Sequence, residues 1–158
     1  KNTNLLDLGS CPGGWSQVAS KIITNGKILS IDIKAMEPIK NVKFVKDDIL
    51  KENTKDKVLS YFRGKLDVII SDMAADTTGN KSLDSIRTNQ LCADVINFSS
   101  KTLNSNGVLV SKLFMGEDFI EVKNLAKSIF KNVNFFKPES SRNESKETYL
   151  HCVNLKTL

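Results

Sequence analysis

Short apolar runs alternate with stretches of helical periodicity along this 158-residue chain, and that alternation admits few folds. The runs at 4–8, 27–32, 42–46, 66–71 and 108–112 have strand length and are rich in Ile, Leu and Val, as strands buried on both faces require. Residues 14–23, 54–62, 82–103 and 117–130 instead carry apolar side chains at helical spacing. Ile86, Cys92, Val95, Ile96 and Leu103 mark the third of these helices, and Phe119, Val122, Ala126, Ile129 and Phe130 the fourth. Residues 104–107, Asn-Ser-Asn-Gly, read as the stop between the third helix and the next strand. Repeated strand-helix units build a mostly parallel sheet with helices on both faces. The final runs, 133–136 and 148–155, follow one another without a helix, so they are expected to pair antiparallel. The expectation is an α/β fold with a seven-stranded sheet and an antiparallel last strand. No repeat, low-complexity segment or linker interrupts it, and the length suits one domain. The loops at 75–81 and 139–146 are expected to have the most freedom.

Where the first strand should turn into the first helix stands Asp7-Leu8-Gly9-Ser10-Cys11-Pro12-Gly13-Gly14-Trp15. Glycines there let the backbone approach a ligand closely, and the N–H groups opening the helix can hold an anion such as a carboxylate. The spacing departs from the dinucleotide fingerprint. Cys11 stands where its second glycine would make room for a pyrophosphate, and Pro12 removes another backbone donor, which disfavours a nicotinamide cofactor.

Carboxylates then recur at strand ends. Asp32 closes the second run at about the spacing of a ribose-binding acid, Asp47 and Asp48 close the third, and Asp72 closes the fourth. Asp is a common turn former, so any one of these means little. Their succession behind a glycine loop points to a nucleoside-type site, because open α/β sheets bind ligands outside the carboxyl ends of their strands.

The charge balance is basic: 23 Lys and Arg against 18 Asp and Glu, a net charge of +5, with Arg63, Arg87 and Arg142 the only arginines. An acidic partner such as RNA suits this balance, although a lysine bias alone does not demand one. Cys11, Cys92 and Cys152 are odd in number and far apart, which argues against a disulfide framework or a zinc site. No signal peptide or membrane-length apolar run is evident, so a cytoplasmic protein, free of metal and membrane and acting as a monomer, is expected.

Several of these segments occur together, in order, in one known family. Asp7-Leu8-Gly9 with Pro12-Gly13-Gly14-Trp15-Ser16-Gln17, Ser71-Asp72-Met73-Ala74, Ser111-Lys112-Leu113-Phe114 with Gly116-Glu117, Lys137-Pro138, Ser140-Ser141-Arg142, Ser145, and Glu147 before Tyr149 resemble the FtsJ/RrmJ (RlmE) family of ribosomal RNA ribose 2′-O-methyltransferases. The resemblance implies a Rossmann-like methyltransferase fold over residues 1–158, S-adenosylmethionine as methyl donor, and a uridine of large-subunit ribosomal RNA as acceptor. It implies that Gly13 and Trp15 meet the donor in the glycine loop, that Asp32 holds its ribose, and that Asp48 lies near its adenine. It further implies that Asp72 sits beside the transferred methyl, that Lys112 is the catalytic lysine, and that Glu147 is the last catalytic acid. Glu139 and Glu144 share the charged loop with Glu147 and compete for that last role.

The sequence departs from the family in two places. Family members carry another catalytic lysine on a helical segment ahead of the first strand, and Lys1 stands too near the strand to supply it. The chain therefore reads as a catalytic domain lacking the family's N-terminal segment. Where the family continues Pro-Asn after Met73-Ala74, this chain has Ala75-Asp76.

The expected chemistry places an activated methyl in line with a ribose oxygen and helps a weakly acidic hydroxyl lose its proton. Lys112 is read as the neutral general base. The alternative is a charged Lys112 that orients the hydroxyl while Asp72 and Glu147 hold its ammonium. Lys34, Lys137, Arg142 and Lys146 are candidates for RNA phosphates, Trp15 and Phe114 for stacking on a base, with core packing the favoured role of Phe114, and His151 for a structural position. A methyltransferase for another RNA or for a non-RNA substrate, and an RNA-binding assembly factor with weakened catalysis, remain as alternatives.

Overall fold

The computed structural model describes residues 2–142 and 145–157, so Lys1 and Glu144 lie outside the described residues. The chain runs β1 (Thr3–Leu8), α1 (Gly14–Ile22), β2 (Gly26–Asp32), β3 (Val42–Lys46), α2 (Glu52–Phe62), β4 (Leu66–Ser71), α3 (Lys81–Thr102), β5 (Leu103–Phe114), α4 (Phe119–Ile129), β6 (Phe130–Phe136) and β7 (Glu147–Leu155). One seven-stranded sheet has the order β3-β2-β1-β4-β5-β7-β6. The β1–β2, β2–β3, β1–β4 and β4–β5 pairs are parallel, whereas β7 runs antiparallel to both of its neighbours. The expected antiparallel pairing is present, with β7 inserted between β5 and β6.

Alternation along the strands separates two cores. Leu6 and Leu8 of β1, Leu29 and Ile31 of β2 and Ile69 of β4 face one side, where they pack with Val58 and Phe62 of α2, Val95 and Ile96 of α3 and Val122 and Ala126 of α4. On the other side Leu5 and Ile28 meet Ala19 of α1, with Val68 and Ile70 packed around them. Helices cover both faces, as expected, but three lie on one side and α1 alone on the other. Fully burying one side chain such as Leu6 contributes roughly 1.5–3 kcal/mol, so the three-helix face carries most of the hydrophobic stabilisation.

The third helix and fifth strand divide differently from the sequence reading. The helix ends at Thr102, and Leu103 already has extended backbone and pairs with Leu66. Pairing resumes only at Val108 with Val68, so 104–107 form an irregularity within β5 and not a turn before it. Burial explains the difference, since Leu103 is inserted in the core and draws its backbone into the sheet. The loop at 75–81, expected to be free, is tied to α3: Thr88 Oγ1 accepts from Ala75 N–H, and the Asp84 carboxylate accepts from both N–H and Oγ1–H of Thr78.

The strand order places the functional end. After β1 the chain builds outward through β2 and β3, then returns to add β4 on the opposite side of β1. Loops leaving β1 and β4 diverge from this switch point, and a crevice opens beyond the carboxyl ends of the strands.

Candidate active site

The glycine loop after β1 is held in shape by the acid that ends β2. Asp32 Oδ2 accepts from Cys11 N–H at 2.8 Å, and Oδ1 accepts from Lys34 N–H at 2.8 Å. One carboxylate thus ties two loops together and keeps further lone pairs for a ligand. Gly9 has φ +69°, and a Cβ there would lie 2.8 Å from Met73 Cγ, so the loop lies flat on the chain leaving β4. Gly13, at φ +115°, occupies the N-cap of α1, where no side chain caps the helix and no acid stands in the first turn. The first N–H groups of α1 therefore lack a side-chain acceptor, as an anion-binding helix start requires.

Under this loop lies a buried polar network that sequence reasoning missed. Asp7 is wholly buried, and its Oδ2 accepts from Ser16 Oγ at 2.5 Å, while Ser16 Oγ lies 2.6 Å from Ser30 Oγ. Asp7 Oδ1 and Ser10 Oγ have no partner among the described residues. Burial pushes the Asp7 carboxyl up to about 6, partly opposed by the Ser16 hydrogen bond and reinforced by the nearby charges of Asp72 and Asp32. The signal was in the sequence: Asp7 occupies a strand position that must face inward.

A cleft of about 370 Å³ opens beyond the ends of β1, β2 and β4. Asp32, Asp48 and Asp72 all line it, between walls that include Ile33, Ile49 and Leu50. Asp48 Oδ1 accepts from Leu50 N–H at 2.9 Å, and Oδ2 has no donor among the described residues. Asp47 turns aside. It accepts from Asp48 N–H and pairs with Lys51 and Lys57, and the Asp48 N–H first of all lowers its carboxyl below the usual range. Gly13 lies apart from the cleft lining, against Ile39 and Met36, and Trp15 faces Tyr149.

At one end of the cleft, three side chains distant in sequence meet. Lys112 Nζ lies 3.1 Å from Asp72 Oδ1 and 3.6 Å from Glu147 Oε2, with the lysine side chain only 14% exposed. Sheet register creates this cluster. Lys112 is paired with Tyr149 and Phe114 with Glu147 across the β5–β7 ladder, which puts Lys112, Glu147 and Tyr149 on one face. The Asp72 N–H donates to Leu8 O at 3.1 Å, fixing the acid beside the glycine loop.

Tyr149 completes the cluster. Its hydroxyl donates to Asp72 Oδ1 at 2.8 Å and lies 3.3 Å from Glu147 Oε1. Burial and then the two acceptors push the phenol far above its ordinary range, so it remains a donor. The sequence carried a signal for Tyr149, since two-residue alternation from Glu147 places it on the same face.

Asn89 of α3, fully buried, grips the strand end from behind. Its Nδ2 donates to Phe114 O at 2.9 Å and to Asp118 Oδ1 at 2.7 Å, and its Oδ1 accepts from Phe114 N–H at 2.7 Å. No sequence signal distinguished it from other polar residues on α3.

The candidate RNA contacts are dispersed around this end. Lys34 lines the cleft, while Phe114 and Lys146 line a second cavity of about 650 Å³ with Lys81 and Ser85. Lys137 Nζ donates to Ser145 O, and Arg142 is exposed. His151 pairs with Val110 and Asn134 within the sheet. All three cysteines are free, and burial raises Cys92 to about 11 and Cys152 to about 12. Among the described residues there is no group of three potential metal ligands, and no helix is long and apolar enough to cross a membrane.

Known proteins resemble this chain in sequence and fold. The chain is 44% identical over 149 residues to a Pelagibacter ubique protein named Ribosomal RNA large subunit methyltransferase E, covering 94% of this chain and 73% of that relative. A Rickettsia akari protein of the same name is 45% identical over 161 residues, covering 98% and 71%. A crystal structure described as a ribosomal RNA methyltransferase from Plasmodium falciparum superposes with a TM-score of 0.85 at 33% identity, covering 98% of this chain and 87% of that one. Human Methyltransferase-like protein 13, solved in complex with SAH, shares the fold at a TM-score of 0.73 and 15% identity, over 98% of this chain and 72% of its own. Residues 1–155 match the model of the FtsJ-like methyltransferases. A match over nearly the whole chain, with two relatives above 40% identity and the crevice where such a sheet must have it, shows that this chain belongs to the FtsJ-like methyltransferase family.

Proposed function

We propose that this protein transfers a methyl group from S-adenosylmethionine to the ribose 2′-hydroxyl of a uridine in large-subunit ribosomal RNA. The observation that carries the reading is Lys112 held between Asp72 and Glu147 at the mouth of the cleft. The names of the relatives support the substrate class and ribosomal RNA as the partner, and the cytoplasm is the compartment that suits such a substrate. The protein acts as a monomer and uses no metal.

The cleft suits an adenosine-bearing donor. Asp32 offers acceptors for two ribose hydroxyls, Asp48 Oδ2 offers one for an exocyclic amine, and Ile33, Ile49 and Leu50 supply apolar walls for the base. Buried Ser10 Oγ and Asp7 Oδ1 leave polar capacity unused along the glycine loop, which favours a polar ligand there. Gly13 and Trp15 hold the donor by shaping the start of α1. When bound, S-adenosylmethionine supplies a methyl already activated on a sulfonium.

The chain's own residues handle the acceptor. Lys112 accepts the proton of the 2′-hydroxyl at Nζ, and Glu147 fixes the amine from the β7 side. Asp72, oriented by Tyr149, places its charge beside the cleft. Position supplies much of the rate, since every participating group is anchored by a strand end. The geometry also favours a second role for Lys112: with two carboxylates within 4 Å it forms an ion pair, and an ammonium there stabilises the developing alkoxide.

Large-subunit ribosomal RNA and assembled large subunits, incubated with the protein and methyl-labelled donor, test the reading. A 2′-O-methyluridine should appear at a single position and vanish with Lys112→Ala. Donor binding without transfer to either form of RNA would instead favour an assembly factor and overturn the proposal.

A further inference from the structure

Three aromatic rings lead away from the active-site acids to the surface. Trp15 and Tyr149 have centroids 5.6 Å apart, and Phe136 stacks on Tyr149 at 5.6 Å with an interplanar angle of 22°. The middle ring donates its hydroxyl to Asp72. The outermost, Phe136, is 45% exposed, whereas Phe130 at the other end of the same strand is buried in the core. Leaving a large ring half open forgoes apolar burial that core phenylalanines obtain.

Phe136, Tyr149, Trp15 and Glu147 line one cavity of about 340 Å³. The loop between Phe136 and Glu147 carries Lys137, Arg142 and Lys146 beside Glu139 and Glu144. An open ring continuing a stack, with exposed Arg142 and Lys146 on the neighbouring loop, has the makeup of a single-strand nucleic-acid platform: bases stack on the rings while cations hold the phosphates. We propose that Phe136 stacks a nucleobase of the acceptor RNA beside the nucleotide whose ribose reaches Lys112, a subsite that rests on the reading of the acceptor as RNA. Because every base has a π-face, the platform grips the strand without reading its sequence.

Fluorescence anisotropy with a short labelled oligouridylate, and with a strand of the same length lacking bases, tests the subsite without requiring methyl transfer. Phe136→Ala is expected to weaken oligouridylate binding about tenfold or more, to leave the abasic strand unchanged, and to retain donor binding as a check on folding. Phe136→Trp should bind at least as well as wild type, and Phe136→Leu, which keeps bulk without a ring, should lose affinity as Ala does. Equal loss on both strands, no loss, or full binding by the leucine variant would overturn the platform. If wild-type protein shows this pattern but methylates no RNA, the methylation reading falls while the platform stands.

Discussion

Two residues separate the competing demands on this site. At Lys112 the test is arginine, which stays protonated under all ordinary conditions. If the amine removes the 2′-hydroxyl proton, Lys112→Arg should lower the single-turnover rate by about 10²–10⁴. A near-normal rate would assign Lys112 the charged, alkoxide-stabilising role that its ion pairs favour. At Asp7 the issue is stability. Its folded value of about 6 exceeds the ordinary 3.8, so the favourable protonated state is fully present below about 3.8 and is lost as pH rises through 6. The loss amounts to roughly 3 kcal/mol for a wholly buried carboxyl. Asp7→Asn, which still offers an acceptor to Ser16, should flatten urea-unfolding midpoints between about pH 4 and 6. Parallel profiles for variant and wild type would show that Asp7 does not control this window.

Among the elements, the contact of α3 with the far end of β5 matters most, because Lys112 lies two residues before the strand end that Asn89 grips. Asn89→Ala leaves the N–H of Phe114 without its side-chain partner in a closely packed region, whereas the C=O keeps the Gly116 N–H. Each buried polar group left unsatisfied costs about 1–3 kcal/mol, so a comparable loss is expected in chemical denaturation. Methyl transfer should fall further than stability explains, since the register of Phe114 against Glu147 would loosen. A variant that is destabilised but transfers at the wild-type rate would confine Asn89 to folding. The helix stop at 104–107 illustrates the limit of local signals: Asn and Gly there do mark an irregularity, but core insertion of Leu103 starts the strand ahead of it.

For the molecule as a whole, a net charge of +5 is an electrostatic statement about a polyanionic partner. RNA affinity should fall linearly on a log-log plot against salt, by about 0.7 per phosphate contacted on a single strand. Replacing Arg142 and Lys146 by alanine should make that slope shallower by more than one, and an unchanged slope would remove these exposed cations from the interface. Much of this protein is written locally. Apolar runs of strand length, helical spacing between them and the acids Asp32, Asp48 and Asp72 at strand ends depend on residues close in the chain, so their pattern survives in the sequence. The insertion of β7 between β5 and β6, the buried Asp7–Ser16–Ser30 network, the grip of Asn89 on Phe114 and the role of Tyr149 do not, because each depends on segments brought together only by sheet order and register. Sequence by itself determined which side chains were available for chemistry. Tertiary structure alone decided that Lys112 meets Asp72 across 40 residues and Glu147 across 35, because hydrogen-bonded strand pairing, which no local propensity encodes, sets those distances.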